Sequence, residues 1–365
     1  MFKPSPSMNF DKTLQKYKEI IDHGLETFFE EIINESKNFI QSSYFPLREF
    51  VLNGGKRLRP VMTIMAFKAL CDQDEEKIYL PAVGLELFHN SSLIHDDIMD
   101  EDGERRGMPS MHKEFENQFL KEHEEKMYNG GIFRKTSERF GVSIAILHGD
   151  ILYALTESCF TNSRFETDEI NRVLDVIGRT YRVICEGQML DILSEQKRDL
   201  SESDYLDVIG KKTAYLFMSA VQIGSIFART PVNQFDAFSK YAINIGLAFQ
   251  LQDDLIDISP GLKGHALGSD IKRGKYTLLM IKAFENADPK QKHILLSALG
   301  NNNAVQETIQ AAIEVLHSTG AVDYVKEKAF QKLREGQSHL ESIGLSEEGR
   351  DFFDGLVDFL EQRKI

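Results

Sequence analysis

Along most of the chain apolar residues return every three to four positions, the spacing of helices that bury one face, while alternation of the strand kind is hard to find. The pattern predicts an all-α protein with helices over about 12–40, 60–72, 78–100, 141–161, 168–195, 202–229, 235–258, 276–286, 303–318, 320–342 and 347–363. Ser201 followed by Asp204 reads as a capping box opening one of them, and Pro60 suits the first turn of another. The segments "AILHGDILYAL" and "YAINIGLAFQLQDDLIDI" are apolar on most faces, as expected of helices enclosed by other helices. A helical bundle with central helices around an apolar cavity follows. The stretch 113–139 is charged and broken by Gly130-Gly131, and reads as a polar insertion crossing the surface rather than as a lid.

Composition adds a full core, with 42% hydrophobic residues, and shows no Pro-, Gly/Ser- or Cys-rich boundary, so a single domain over 1–365 is expected. A formal net charge of −14 speaks against a nucleic-acid partner, which would need a phosphate-neutralising surface. The basic residues nevertheless gather at Lys56-Arg57-Leu58-Arg59, Arg105-Arg106, Lys211-Lys212 and Lys272-Arg273-Gly274-Lys275, as local anion sites in an acidic protein would. Cys71, Cys159 and Cys185 are odd in number and lack metal-ligand spacing, which points to free thiols, a reducing compartment and no zinc site. No signal-peptide core opens the chain, and no apolar run approaches the roughly 20 residues of a bilayer span, so the expectation is a cytoplasmic protein without a transmembrane segment.

Two short stretches carry the candidate chemistry: "HDDIMD" at 95–100 and "QDDLID" at 252–257. On a helix, i and i+4 share a face, so Asp96 with Asp100, and Asp253 with Asp257, each aim two carboxylates one way, flanked by Asp97 and Asp254. Such groups repel unless a cation neutralises them, and an oxygen-only set selects magnesium over zinc. Magnesium held by few carboxylates keeps positions open for phosphate oxygens. With basic clusters near both triplets, the substrate class is a diphosphate, gripped by Arg as a fork and by Lys as a point charge.

The chain resembles the trans-isoprenyl diphosphate synthases (polyprenyl synthetases) through "GGKRLRP", "ELFHNSSLIHDDIMDEDGERRG", "AILHGDIL", "GQMLDI", "GKKTAYLF", "FQLQDDLID" and "GSDIKRGKYTLL", in the family's order. A lone DDxxD would also occur in terpene cyclases, which lack the second motif and the "GGKRLRP" element. The resemblance implies the isoprenoid-synthase helical bundle, a homodimer, and the joining of isopentenyl diphosphate to an allylic diphosphate with three magnesium ions. It implies that Asp96, Asp97, Asp100, Asp253, Asp254 and Asp257 hold metal. Arg105, Lys212, Thr213, Gln250 and Lys275 match the allylic diphosphate contacts, and Lys56, Arg59, His89 and Arg106 the isopentenyl diphosphate contacts. Ionisation of the allylic diphosphate then rests on Asp96, Asp97, Asp100, Lys212, Asp253 and Asp254. Gln188 and Asp191 match a GQxxD element that either contacts substrate or supports the groups that do. Where the family commonly has a Lys before its Gly-Ser-Asp element this chain has His265, with Lys263 as a substitute.

Product length is expected to depend on side chains one and two turns before Asp96: Ser92, Ser91 and Phe88. Serines leave room where bulky aromatics would stop growth early, and Phe88 forms the next floor, so the expected product is geranylgeranyl diphosphate. Farnesyl diphosphate or longer polyprenyl diphosphates, a non-catalytic regulatory partner and a terpene cyclase are the alternatives.

Overall fold

The computed structural model describes residues 6–128, 131–197, 200–260 and 267–363. These residues are almost wholly helical: α1 (Pro6–Glu35), α2 (Asn38–Leu52), α3 (Leu58–Leu70), α4 (Tyr79–Met99), α5 (Met111–Glu122), α6 (Thr136–Thr161), α7 (Thr167–Gln196), α8 (Glu202–Ile209), α9 (Tyr215–Phe227), α10 (Val232–Asp257), α11 (Ser269–Arg273), α12 (Leu278–Asn286), α13 (Pro289–Ala298), α14 (Gln306–Ser318), α15 (Ala321–Leu340) and α16 (Glu347–Glu361). A 3-10 turn, Glu75–Ile78, precedes α4, and a π-helical turn, Gly210–Ala214, joins α8 to α9. A two-stranded antiparallel ribbon, β1 (Glu104–Arg105) on β2 (Met108–Pro109), follows α4.

The all-α expectation holds, with local departures. The first expected helix stops at Glu35, and α2 begins at Asn38, whose φ of 55° cannot continue a right-handed helix. The stretch 113–139, expected to cross the surface, takes in most of α5. That helix buries Met111, His112 and Phe115, and the Phe115 ring packs 6.3 Å from Phe140 and 5.1 Å from His148 of α6. The helix expected over 202–229 is interrupted by the π turn. α13 is not among the expected helices, although Asp288, Pro289 and Gln291 make its capping box and N-terminal proline.

The chain divides into two compact units, one of Asp11–Leu174 with Ile226–Ala228, the other of Met1–Phe10, Asp175–Ser225 and Arg229–Ile365. In the first, α4 packs along α6 so closely that a Cβ on Gly84 would lie 2.7 Å from the Cβ of Cys159. Leu25, Val61, Phe67, Leu85 and Phe160 are fully buried there. In the second, α10 lies along α15, and a core of Leu251, Leu255, Leu278, Leu295, Leu316 and Val325 closes under them. Each such side chain contributes about 1.5–3 kcal/mol on burial.

Candidate active site

In the first unit α4 ends in the acidic triplet. Asp96 and Asp97 lie in its last turn, and Asp100 is its C-cap. The ribbon that follows turns through Arg106 and Gly107, both with positive φ (53° and 76°), the conformation of a tight hairpin with primed-type geometry. This returns Arg105 onto the aspartates: its Nε donates to Asp97 Oδ1 at 2.6 Å, its Nη2 pairs with the same oxygen, and Nη2 stands 3.8 Å from both Asp96 Oδ2 and Asp102 Oδ2. Asp97 is fully buried, and its Oδ2 has no hydrogen-bond partner. Burial outweighs Arg105 and pushes the Asp97 carboxyl up to about 6.

That arrangement is short of positive charge, and an oxygen-seeking cation fits it. Among the described residues no three acidic, His or Cys side chains are already gathered as a cage. Magnesium needs none, since it is held through one or two carboxylates together with water and substrate phosphate.

The basic residues of the same unit sort themselves by backbone conformation. Gly54 and Gly55 have φ of 69° and 89°, and Arg57 has φ of 51°, which turns its guanidinium inward. It donates to Asp22 Oδ1 (2.8 Å), Glu86 Oε1 (2.7 Å) and the Val51 carbonyl (2.7 Å) and is 2% exposed. Arg57 is therefore structural, while Lys56 stays at the surface. Arg59 Nη1 lies 3.3 Å from His89 Nε2. Burial first, then the field of Arg59, Arg106, Arg105 and Arg57, holds His89 well below its ordinary pKa, so it is neutral and accepts from Arg59. Its other ring nitrogen then carries a proton to offer an anion. Arg106 is set by its Nη1 donating to the Asn53 carbonyl at 3.0 Å, and a Cβ on Gly55 would come within 3.2 Å of that same nitrogen.

The three residues expected to set product length are not equivalent. Ser91 is buried in the α4–α6 contact and donates to the Gly149 carbonyl at 2.8 Å. Ser92 is half-buried and donates to the His89 carbonyl of its own helix (2.7 Å). Phe88, 1% exposed, has its ring 6.0 Å from that of Tyr153. Phe88, Ser92 and Asp96 form one i, i+4 stripe; Ser91 and His95 form the neighbouring stripe against α6.

In the second unit the π turn carries Lys212 and Thr213. Two glycines let it nestle: a Cβ on Gly187 of α7 would lie 2.4 Å from Lys212 N, and one on Gly246 of α10 would lie 2.5 Å from Ala214 Cα. Lys212 Nζ donates to Asp191 Oδ2 at 2.7 Å, and Lys275 Nζ stands 3.5 Å from that oxygen. Two lysines expected to hold an anion thus converge on one carboxylate. Thr213 Oγ1 donates to Gln250 Oε1 (2.8 Å), and Gln250 Nε2 to Asp254 Oδ1 (3.1 Å).

The aspartates of this unit differ in what they already hold. Asp253 is paired with Arg363 at 2.7 Å. Asp254 is buried, accepts from the Tyr205 hydroxyl as well as Gln250, and is pushed up to about 8 by burial and by Asp270. Asp257 caps α11: Oδ1 accepts from Ser269 N (3.0 Å) and Ser269 Oγ, and Oδ2 from Asp270 N (3.2 Å). Burial and Asp270 raise its pKa as well. His265 and Lys263 lie outside the described residues. Sequence reasoning missed Tyr205 and Asp270; neither stands in a patterned carboxylate motif, and only the fold brings them to Asp254 and Asp257.

Residues 41–316 match the family model described as polyprenyl synthetase. A geranylgeranyl pyrophosphate synthase of Geoglobus acetivorans is 34% identical over 92% of this chain and 94% of its own length. A geranylgeranyl diphosphate synthase of Methanosarcina mazei is 35% identical over 82% of this chain and 83% of its own. Among solved structures, geranylgeranyl pyrophosphate synthase from Corynebacterium glutamicum, complexed with isoprenyl diphosphate and magnesium, superposes with a TM-score of 0.85 at 28% identity, covering 97% of this chain and 99% of that one.

Proposed function

The chain belongs to the polyprenyl synthetase family and is a trans-prenyltransferase of isoprenyl diphosphates, and from that premise we propose that it condenses isopentenyl diphosphate with an allylic diphosphate to give mainly geranylgeranyl diphosphate. The observation that carries the reading is the buried Asp97 carboxylate, with one oxygen on Arg105 and the other without a partner.

The family is magnesium-dependent, and in this reading Asp96, Asp97, Asp100, Asp253, Asp254 and Asp257 hold three ions. Magnesium supplies the positive charge that stabilises the departing diphosphate. Arg105, which here bonds Asp97, would take a diphosphate oxygen, and Asp97 would serve as a metal ligand. Lys212 and Lys275 exchange Asp191 for the allylic diphosphate, and Thr213 and Gln250 hold its flank. Lys56, Arg59, neutral His89 and Arg106 bind the diphosphate of the isopentenyl substrate. Breaking the allylic C–O bond leaves an allylic cation, the isopentenyl double bond attacks it, and the proton lost from the new tertiary cation goes to the released diphosphate. No side-chain base is required.

Support for the product length comes from the Phe88–Ser92–Asp96 stripe. Ser92 carries the open position and Phe88 the floor, whereas Ser91 is spent on the Gly149 carbonyl. We take residues 1–365 as one functional domain and the active species as a homodimer. The exposed Ile146 and Leu147 of α6, 43% and 55% accessible, favour a second copy. The three free thiols agree with a cytoplasmic, reducing setting.

The deciding experiment incubates the purified protein with magnesium, labelled isopentenyl diphosphate and, in parallel, dimethylallyl, geranyl and farnesyl diphosphates, then separates the dephosphorylated alcohols. Geranylgeraniol as the main product is expected. A ladder of longer alcohols would keep the chemistry and discard the Phe88 floor, and no incorporation from any starter would overturn the reading.

A further inference from the structure

Tyr205 lies outside the motifs that point to diphosphate chemistry, yet its buried hydroxyl donates to Asp254 Oδ2. Its helix is fixed before it reaches that contact. Ser201 and Asp204 close a reciprocal capping box at the start of α8. Glu202 accepts from Lys328 (2.8 Å), Lys282 (3.0 Å) and the Tyr324 hydroxyl (2.6 Å), tying α8 to α12 and α15. The Tyr205 ring is embedded in the core cluster that includes Ile209, Leu251, Leu255, Ile271 and Leu278. A side chain with two torsions, held at both the ring and the helix, delivers its hydroxyl to one place.

We propose that Tyr205 is a positioning residue that fixes the Asp254 carboxylate for the metal centre of the second aspartate motif, an inference that rests on reading those aspartates as magnesium ligands. Among the described residues the side-chain donors to Asp254, Tyr205 Oη and Gln250 Nε2, are neutral. Neutral donors orient a carboxylate without cancelling its charge, whereas Lys or Arg in the same place would compete with the incoming cation. Gln250 is in turn oriented by Thr213 on the π turn, so Asp254 is held from α8 on one oxygen and from the Lys212–Thr213 turn on the other. Magnesium demands near-ideal octahedral geometry and tolerates little wander in its ligands. Loss of a hydrogen bond that orients a metal ligand costs about 10–100-fold in metal affinity.

The test uses the full chain with manganese(II) as the metal and inorganic diphosphate as the anion, counting free manganese by electron paramagnetic resonance. Tyr205→Phe should weaken manganese binding by about ten-fold or more, and raise the magnesium needed for half-maximal turnover, with the KM for isopentenyl diphosphate unmoved. A purely structural hydroxyl would lower the melting temperature and leave manganese affinity as in the parent, which would overturn the proposal. Asp253→Asn separates the two levels: if it leaves manganese binding intact, the metal reading itself fails. If it weakens binding while Tyr205→Phe does not, only the role of Tyr205 fails. Should Tyr205→Phe not fold, 3-fluorotyrosine placed at 205 keeps the ring and alters the acidity of the donor; a shifted manganese affinity supports the proposal and an unchanged one ends it.

Discussion

Asp97 and His148 are both buried titratable groups, and they fail in opposite ways. Asp97 is a carboxylate whose charge is incompletely matched. Asp97→Asn keeps its shape and removes the charge; turnover at saturating substrate should fall about 10²–10³-fold, while the melting temperature holds or rises because a buried, under-compensated carboxylate is gone. Steady-state kinetics beside a thermal melt reads both. His148, 2% exposed and packed against Phe115, is driven by burial down to about 4 from 6.5. The unfolded chain takes up that proton first, so the contribution of His148 is complete above pH 6.5 and is lost as pH falls towards 4. The loss amounts to about 3 kcal/mol at most, and denaturant melts of a His148→Gln variant should show a shallower decline across that window. Residue identity alone misleads in the run Lys56-Arg57-Leu58-Arg59: a left-handed φ and the distant carboxylates of Asp22 and Glu86 decide that Arg57 is structural and leave Arg59 for His89.

The elements that carry the site depend on absent side chains. The π turn with Lys212 and Thr213 is shaped by Gly187 and Gly246, and Gly149 leaves room for His95, whose Nε2 would lie 2.2 Å from a Cβ there. Gly246→Ala presses a methyl against Ala214 backbone, which must shift; a cost of about 1–3 kcal/mol is expected. Because the turn moves as a piece, a raised KM for the allylic diphosphate should accompany it, with the KM for isopentenyl diphosphate little changed. An unaltered KM would mean that the turn yields elsewhere. Asp191→Ala makes the opposite prediction, since it removes the carboxylate that Lys212 and Lys275 would exchange for the allylic diphosphate: the allylic KM should fall several-fold, with a smaller change in turnover. Periodicity located the long helices but not α2, α5 or the π turn. A charged helix such as α5 hides a narrow apolar stripe among Lys and Glu, and a π turn adds one residue to a helix without changing its composition.

For the whole molecule, exposed Ile146 and Leu147 on α6 predict self-association. Sedimentation should give a dimer, and Leu147→Glu should shift it towards monomer with activity falling in step; a monomeric parent that remains active would remove the homodimer from the reading. Against an overall balance of −14, Arg and Lys are gathered in a few places. Helical class, the two carboxylate triplets, the isoprenyl diphosphate chemistry and the family resemblance were all legible in the chain, because periodicity and motif spacing are local properties that survive without coordinates. Tertiary structure alone decided which arginine is spent on the core, that Ser91 bonds α6, that Asp257 caps a helix, and that Tyr205 holds Asp254. Each of these depends on groups far apart in sequence meeting at hydrogen-bond distance, and no local pattern records which partner a buried polar atom will find.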